Sequence, residues 1–279
     1  MVKHFIPKNL SEALEYINSY NVTIVAGGTD VMVQKRSWAN LPPRIEGHIM
    51  YIANLEQLNY IKTIDNHLHI GATTPLSDVL EYPDTPKILK EAIEIIASPA
   101  LRNVGTIAGN IGNASPAGDT LPILYLEEAL IVLESVNNRK ILPISEVIIG
   151  PRKTIINTDE IITEIIIPTN KHTKSRFVKV GGRKADAISK VSFAGSVQIE
   201  ENKITDLRIC FGAVAPTVIR NKDIESQFIG MDLNDLRGNY QNIIDKYEPI
   251  IKPITDQRSN KNYRKKVALN LLKDFLKDI

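Results

Sequence analysis

The chain has 279 residues, 43% of them apolar and 24% charged, with a net charge of +2. This is the composition of an ordinary globular protein, with room for one large domain or two to three smaller ones. The near-neutral charge gives no reason to expect nucleic acid or a membrane surface as partner. No apolar run reaches the roughly 18 residues of a spanning helix. The first residues go directly into a helix signal and show no signal-peptide core, so the expectation is a cytoplasmic protein. The single cysteine, Cys210, excludes an internal disulfide, and a Cys/His zinc site or an iron–sulfur cluster built from this chain alone. Any redox chemistry here needs an organic cofactor.

The first helix is capped by Asn9, with Glu12 three residues on as in a capping box and Leu10, Ala13, Leu14 and Ile17 on one face. Residues 22–26 read as a buried strand. Residues 60–64 and 67–70 predict a hairpin across Asp65-Asn66. Thr74 before Pro75 marks a helix start, and residues 87–97 repeat Leu89, Ile93 and Ile96 at helical spacing. A helix over 121–129 precedes a second hairpin, 129–135 with 140–143. Residues 160–167 form a β-branched strand stopped by Pro168. The polar stretch 170–175 marks a domain boundary. Beyond it, 176–180, 191–200 and 203–213 read as antiparallel strands, the last two joined across Glu201-Asn202. Tyr263, Val267, Leu271 and Phe275, with Ala268, Leu272 and Leu276 beside them, make the apolar stripe of a C-terminal helix docked on its own domain. The order predicts an α+β fold.

Two segments carry chemistry. Val25-Ala26-Gly27-Gly28-Thr29-Asp30 follows a strand. Thr106-Ile107-Ala108-Gly109-Asn110, running on to Ala114-Ser115-Pro116-Ala117-Gly118-Asp119, follows a helix. Glycines let backbone N–H groups turn toward a ligand, and consecutive N–H groups make anion-binding concavities. Two such loops, roughly 80 residues apart, suggest a ligand with two phosphates held from both sides. The absence of a G-x-G-x-x-G fingerprint says that a dinucleotide is not held in the Rossmann manner.

Other residue groups have plainer readings. Asp119 doubles as an N-cap candidate for the following helix. His67 and His69 share one side of a strand with no third ligand in sight, so packing is the expectation. Glu91, Glu94, Glu127 and Glu128 look like helix surface. Cys210, between Ile209 and Phe211, reads as buried packing. Lys179, Arg183, Lys184 and Lys190 form a basic cluster that fits either a solvated surface or a functional site. Aromatic residues, 6% of the chain, are too scattered for base-stacking platforms.

The two glycine-bearing segments, with Asp256-Gln257-Arg258-Ser259 and Tyr263-Arg264 near the end, resemble the FAD-binding medium subunit of molybdenum-containing hydroxylases, the xanthine dehydrogenase and carbon monoxide dehydrogenase family. The resemblance covers essentially the whole chain. It implies a vanillyl-alcohol-oxidase-like (PCMH-type) FAD-binding domain in residues 1–172, made of two α/β lobes of about 1–55 and 56–172. It further implies a C-terminal antiparallel sheet-plus-helices domain of the carbon monoxide dehydrogenase flavoprotein type in residues 173–279.

By the same resemblance Ile24, Val25, Ala26, Gly27, Gly28, Thr29, Asp30 and Val31 wrap the FAD pyrophosphate through backbone N–H groups. Thr106, Gly109 and Asn110 close on it from the other side, with Ala114, Ser115 and Gly118 in the same segment. Asp119 hydrogen-bonds a cofactor hydroxyl, Ile96 and Ile162 are apolar positions near the flavin, and the Lys179 charge stabilises the reduced flavin. Ala108 stands where the family often has glycine, which is tolerable at negative φ.

FAD is implied to be noncovalent, with no catalytic side chain and no metal ligand in this chain. Electrons would come from a molybdopterin–molybdenum large subunit through two 2Fe–2S clusters of a small subunit. They would leave to NAD, oxygen or a quinone, in a dimer of heterotrimers. Two alternatives stay open: a stand-alone FAD-dependent reductase or oxidase, and a non-catalytic nucleotide-binding assembly module.

Overall fold

The computed structural model describes residues 2–39, 41–42, 44–183 and 186–279. In chain order, β1 (His4–Phe5), α1 (Leu10–Ser19), β2 (Val22–Val25), α2 (Val31–Gln34) and β3 (His48–Tyr51) come first. Asn9 Oδ1 accepts the Glu12 N–H at 2.9 Å, which starts α1 as its sequence requires. The Glu12 carboxylate reaches back to the N–H of Lys8 at 2.7 Å, one residue ahead of the capping-box position. The chain does not enter this helix directly: His4–Phe5 is a strand beside β3, and the parallel three-stranded sheet has the order β1-β3-β2.

Next come β4 (Ile61–Ile64), β5 (His67–Gly71), α3 (Leu76–Glu81), α4 (Lys87–Glu94), α5 (Pro99–Arg102), α6 (Ile107–Asn113) and α7 (Leu121–Leu126). They are followed by β6 (Leu130–Glu134), β7 (Arg139–Pro143), α8 (Ile144–Val147), β8 (Ile148–Gly150), β9 (Lys153–Thr154) and β10 (Ile161–Pro168). The strands β4-β5-β10-β6-β7 make one antiparallel sheet. Its central strand β10 is buried on both faces from Ile161 to Ile167, as its near-continuous run of isoleucines demands. Asp65 and Asn66 both take positive φ (47° and 59°). That is the backbone of a two-residue turn whose twist matches the flanking strands.

The chain ends with β11 (Lys174–Val180), β12 (Val191–Glu200), β13 (Lys203–Gly212), β14 (Ile219–Arg220), α9 (Lys222–Ser226), α10 (Leu233–Tyr247) and α11 (Lys261–Asp278). The strands form an antiparallel sheet in the order β11-β12-β13-β14, with Glu201 and Asn202 again a left-handed pair in the β12–β13 turn.

The chain forms two compact units. One comprises Met1–Thr85, Ala97–Ala114 and Ala129–Pro168; the other comprises Pro86–Ile96, Ser115–Glu128 and Thr169–Ile279. The second unit therefore takes α4 and α7 from ahead of residue 172. In that unit α10 and α11 cover one face of the sheet, where Phe193, Phe211, Tyr247 and Phe275 meet edge-on or tilted with ring centroids 5.3–5.8 Å apart. Helix α7, buried along its whole length, lies on the opposite face. There Ser192, Ala194, Ser196 and Gly212 keep the sheet surface low, and a Cβ on Gly212 would stand 3.0 Å from Pro122 Cγ. The apolar side of α11, with Ala268, Leu272, Phe275 and Leu276, is spent inside this core.

Candidate cofactor-binding site

In the first unit β2 carries Ile24 and Val25 to the Ala26–Asp30 loop, which leads into α2 at Val31. Gly28 has φ +67°, a conformation that places successive N–H groups on one side of the turn. Gly27 sits hard against another stretch of backbone: a Cβ there would lie 1.7 Å from the carbonyl oxygen of Val104 and 2.9 Å from the nitrogen of Gly105. The first loop thus rests directly on the residues that lead into the second motif. Among the described residues, none of the N–H groups from Gly27 to Val31 donates to a protein acceptor; the first that does is Met32, to the carbonyl of Gly28 at 3.2 Å. Five adjacent, partly exposed and unpaired N–H groups form a cradle for an anion, so these residues fit a diphosphate.

The second motif starts α6. Thr106 is its N-cap, with Oγ1 accepting the Gly109 N–H at 2.9 Å. Ala108 lies within the helix, at a φ that alanine adopts without strain. Asn110 turns a buried Oδ1 inward with no hydrogen-bond partner among the described residues. Ala114 ends the helix in the left-handed conformation, φ +45°. Ile162 is buried in β10 opposite Leu133.

The remaining expected residues belong to the second unit. Ile96 follows α4. Ser115 Oγ accepts the Ala117 N–H at 3.3 Å, and its carbonyl accepts from Gly118 at 2.9 Å, which makes a tight turn before Asp119. Asp119 is 8% exposed and is not the N-cap of α7, a position held by Thr120. Its carboxylate instead receives Lys179 Nζ at 2.7 Å on one oxygen and the Ser189 hydroxyl on the other. Lys179 also donates to the carbonyl of Ile95 at 3.1 Å. Burial pushes the Asp119 carboxyl above its ordinary range, and the Lys179 and Ser189 donors only partly oppose it. The Lys179 charge is therefore compensated inside the protein. Ser189 carries no motif, and nothing in the sequence announced its role.

Several plain readings meet the structure differently. Glu127, expected on a helix surface, is 1% exposed. It accepts from Asn170 Nδ2 at 2.9 Å, lies 2.9 Å from His172 Nε2, and has Arg208 Nη1 at 3.9 Å. The polar stretch expected to mark a domain boundary is thus pinned by a buried carboxylate. His69 Nδ1 lies 2.8 Å from Glu164 Oε1, and His67 Nδ1 lies 2.7 Å from the Asp65 carbonyl. Cys210 is fully buried, and burial pushes its thiol far up, away from the reactive thiolate. Of the basic cluster, Arg183 bonds Asp186 and Lys190 lies 5.7 Å from the Tyr263 ring centroid, while Lys184 falls outside the described residues.

Comparison with known proteins places the chain in a family. Residues 1–170 match the FAD-binding domain in molybdopterin dehydrogenase, and residues 176–279 match the carbon monoxide dehydrogenase flavoprotein C-terminal domain. The nicotinate dehydrogenase FAD-subunit of Eubacterium barkeri is 30% identical over 240 residues, 82% of this chain and 80% of that one. The glyceraldehyde dehydrogenase medium chain of Sulfolobus acidocaldarius is 29% identical over 276 residues, 98% and 96% of the two chains. In fold, the chain is similar to carbon monoxide dehydrogenase from Oligotropha carboxidovorans, with a TM-score of 0.88 at 22% identity, covering 98% of this chain and 96% of that one. It is also similar to quinoline 2-oxidoreductase from Pseudomonas putida 86, with a TM-score of 0.86 at 17% identity, covering 99% and 95%.

The chain belongs to the family of FAD-binding subunits of molybdopterin dehydrogenases. Within it, the protein is an oxidoreductase subunit of the medium, FAD-carrying type. Among the described residues no helix is long and apolar enough to cross a membrane.

Proposed function

We propose that this subunit takes electrons from the 2Fe–2S clusters of a small partner subunit, stores them on FAD and releases them to an external acceptor such as NAD, oxygen or a quinone. A molybdopterin–molybdenum large subunit would act on the substrate, and the assembly would be a cytoplasmic dimer of heterotrimers. The observation that carries the reading is the row of five backbone N–H groups, Gly27 to Val31, without a protein acceptor. Donors of that kind match a diphosphate.

In the first unit, Ile24 to Val31 would hold the diphosphate through the backbone, with the Thr29 hydroxyl added. Thr106, Gly109, Asn110 and Ala114 would support it, and Ile162 would give an apolar wall. The orphaned Asn110 Oδ1 supports a polar ligand group there. In the second unit, Ile96, Ser115, Gly118, Asp119 and Lys179 would contribute to holding the cofactor. The family modules would be residues 1–172 for FAD binding and 173–279 for the C-terminal part. FAD, when bound, supplies two-electron storage that no side chain here provides. The protein's part is to bind, to orient and to set the surrounding charge. The lone buried Cys210 supports the placing of iron–sulfur clusters on a partner.

The test is a visible spectrum of the purified chain, with the cofactor released by acid and identified, beside a Gly28→Asp, Gly109→Asp double variant. Near-equimolar FAD in the wild type and none in the variant is the expected result. No FAD after reconstitution with an excess would sink the electron-transfer role. Purification from the native host should bring a small cysteine-rich subunit and a large molybdenum subunit; a lone polypeptide that turns over a reductant robustly would count against the assembly.

A further inference from the structure

Arg152 occupies a place where sequences ordinarily put glycine. It follows Pro151 in the two-residue turn between β8 and β9, and its φ is +57°. A left-handed position in a tight turn is one that favours glycine or asparagine. A long side chain there carries a backbone cost of about 1–2 kcal/mol. Strain that persists calls for something the side chain does.

What it does is visible in the first unit. The Arg152 N–H donates to the carbonyl of Ala114, the left-handed residue that ends α6, at 2.9 Å. Its Nη1 donates to Asn113 Oδ1 at 3.2 Å and lies 3.8 Å from Asp30 Oδ2. Gln34 Nε2 donates to the same Asn113 oxygen at 2.6 Å, and also to Asp30 Oδ2. One guanidinium thus joins the end of the Gly27–Val31 cradle to the end of the Thr106 helix. Asp30, meanwhile, presents a carboxylate beside a row of N–H groups suited to an anion. Its side chain makes no cap bond to α2. Left uncompensated, it would repel the same diphosphate that the cradle attracts.

We propose that Arg152 is a positioning residue for the cofactor. It neutralises Asp30 and ties the two loops together, so that the cradle is both pre-formed and free of net negative charge. The proposal rests on the reading of Gly27–Val31 as the diphosphate site. As an exposed pair, Arg152 and Asp30 contribute little to folding. Their effect is on the ligand, where a charge changes the local potential.

The test uses the full chain freed of FAD, with FAD affinity by titration and apo-protein melting in parallel, for R152G, R152K, R152G/D30N and G28D. R152G removes the side chain and relieves the left-handed strain. Its melting temperature should equal or exceed that of the wild type, while its FAD Kd rises about tenfold, equivalent to about 1.4 kcal/mol. R152G/D30N should return the Kd to within about threefold of wild type, and R152K should keep more affinity than R152G. G28D should lose FAD. If G28D loses FAD and R152G binds it as the wild type does, the proposal is wrong and the site reading stands. A double variant no better than R152G also overturns it, as does a loss of affinity that only follows a fall in melting temperature. If G28D binds FAD normally, the site reading fails and takes the proposal with it.

Discussion

Gly27 and Gly28 are adjacent, but substitution to alanine should fail for opposite reasons at the two positions. At Gly27 the added methyl would lie 1.7 Å from the Val104 carbonyl oxygen, and real Cβ contacts begin near 3.0 Å, so two stretches of backbone must part by at least 1.3 Å. No rotamer relieves a clash with a carbonyl. Overpacking of a side-chain core costs about 1–3 kcal/mol, and a rigid backbone neighbour puts this case at the upper end, about 3 kcal/mol. For a unit of this size that lowers the melting temperature by about 6–12 °C. Separation of the first loop from residues 104–105 also spreads the cradle, and FAD affinity should fall about 100-fold, or about 2.7 kcal/mol. At Gly28 there is room, the nearest atom being 3.4 Å from the added carbon, and the penalty is the φ of +67°. That is about 1–2 kcal/mol and a few degrees of melting temperature. Circular-dichroism melts of the apo-chain, run beside FAD titrations, separate the two. A Gly27→Ala protein that melts within about 2 °C of wild type would refute the argument. So would one less damaged than Gly28→Ala in both assays, because either result means that the loop does not rest on residues 104–105.

Lys179→Met strands a buried carboxylate with Ser189 as its remaining donor, so urea unfolding should show a loss of about 3 kcal/mol, partly recovered in K179M/D119N. In holoprotein, the flavin midpoint potential should fall by about 30 mV, tenfold for a two-electron couple; an unchanged potential would remove Lys179 from the residues that tune the flavin. Desolvation alone would raise the Asp256 carboxyl, but the N–H groups of Arg258 and Ser259 and the Arg264 guanidinium at 2.7 Å outweigh it and hold the group below the ordinary carboxylate range. A carboxyl depressed in the fold stabilises fully above its unfolded value and loses that contribution as pH falls through the folded one. The stability gap between wild type and Asp256→Asn should thus be about 1 kcal/mol at neutral pH and shrink below about pH 4. A gap that widens on acidification would contradict the sign of the shift.

The features that were legible in the sequence are the ones written in neighbouring residues. Asn9 and Glu12 announce α1 within one turn. Asp65-Asn66 and Glu201-Asn202 mark two hairpins because two successive left-handed residues form a turn whose twist matches its strands. The glycine segments stand out for the same local reason. Strand β3 was missed: His48-Ile49-Met50-Tyr51 has no β-branched run, and only its place between β1 and β2 makes it a strand. Asp119, Lys179 and Ser189 meet across 60 and 70 residues of chain, so the sequence could single out Asp119 and Lys179 one at a time but neither Ser189 nor the bonding among the three. Glu127 looked like helix surface because its helix is short and followed by a charged residue. His172 and Asn170, which bury it, lie in a stretch whose polarity suggests solvent. Arg152 gives no signal at all, since a left-handed arginine is a property of the fold and of no local pattern.

The isolation of Cys210 has an experimental consequence. A fully enclosed thiol near the C-terminal end of β13, in a chain with no other, reacts with an alkylating reagent only when the surrounding sheet opens. Each modified molecule then records one opening of the second compact unit, with no engineered probe and no competing site. When closing outruns chemistry, the labelling rate reports the free energy of that opening; when chemistry is faster, it reports the opening rate itself. The chain therefore carries its own stopwatch, able to time how far a cofactor or a partner subunit slows the breathing of the C-terminal sheet.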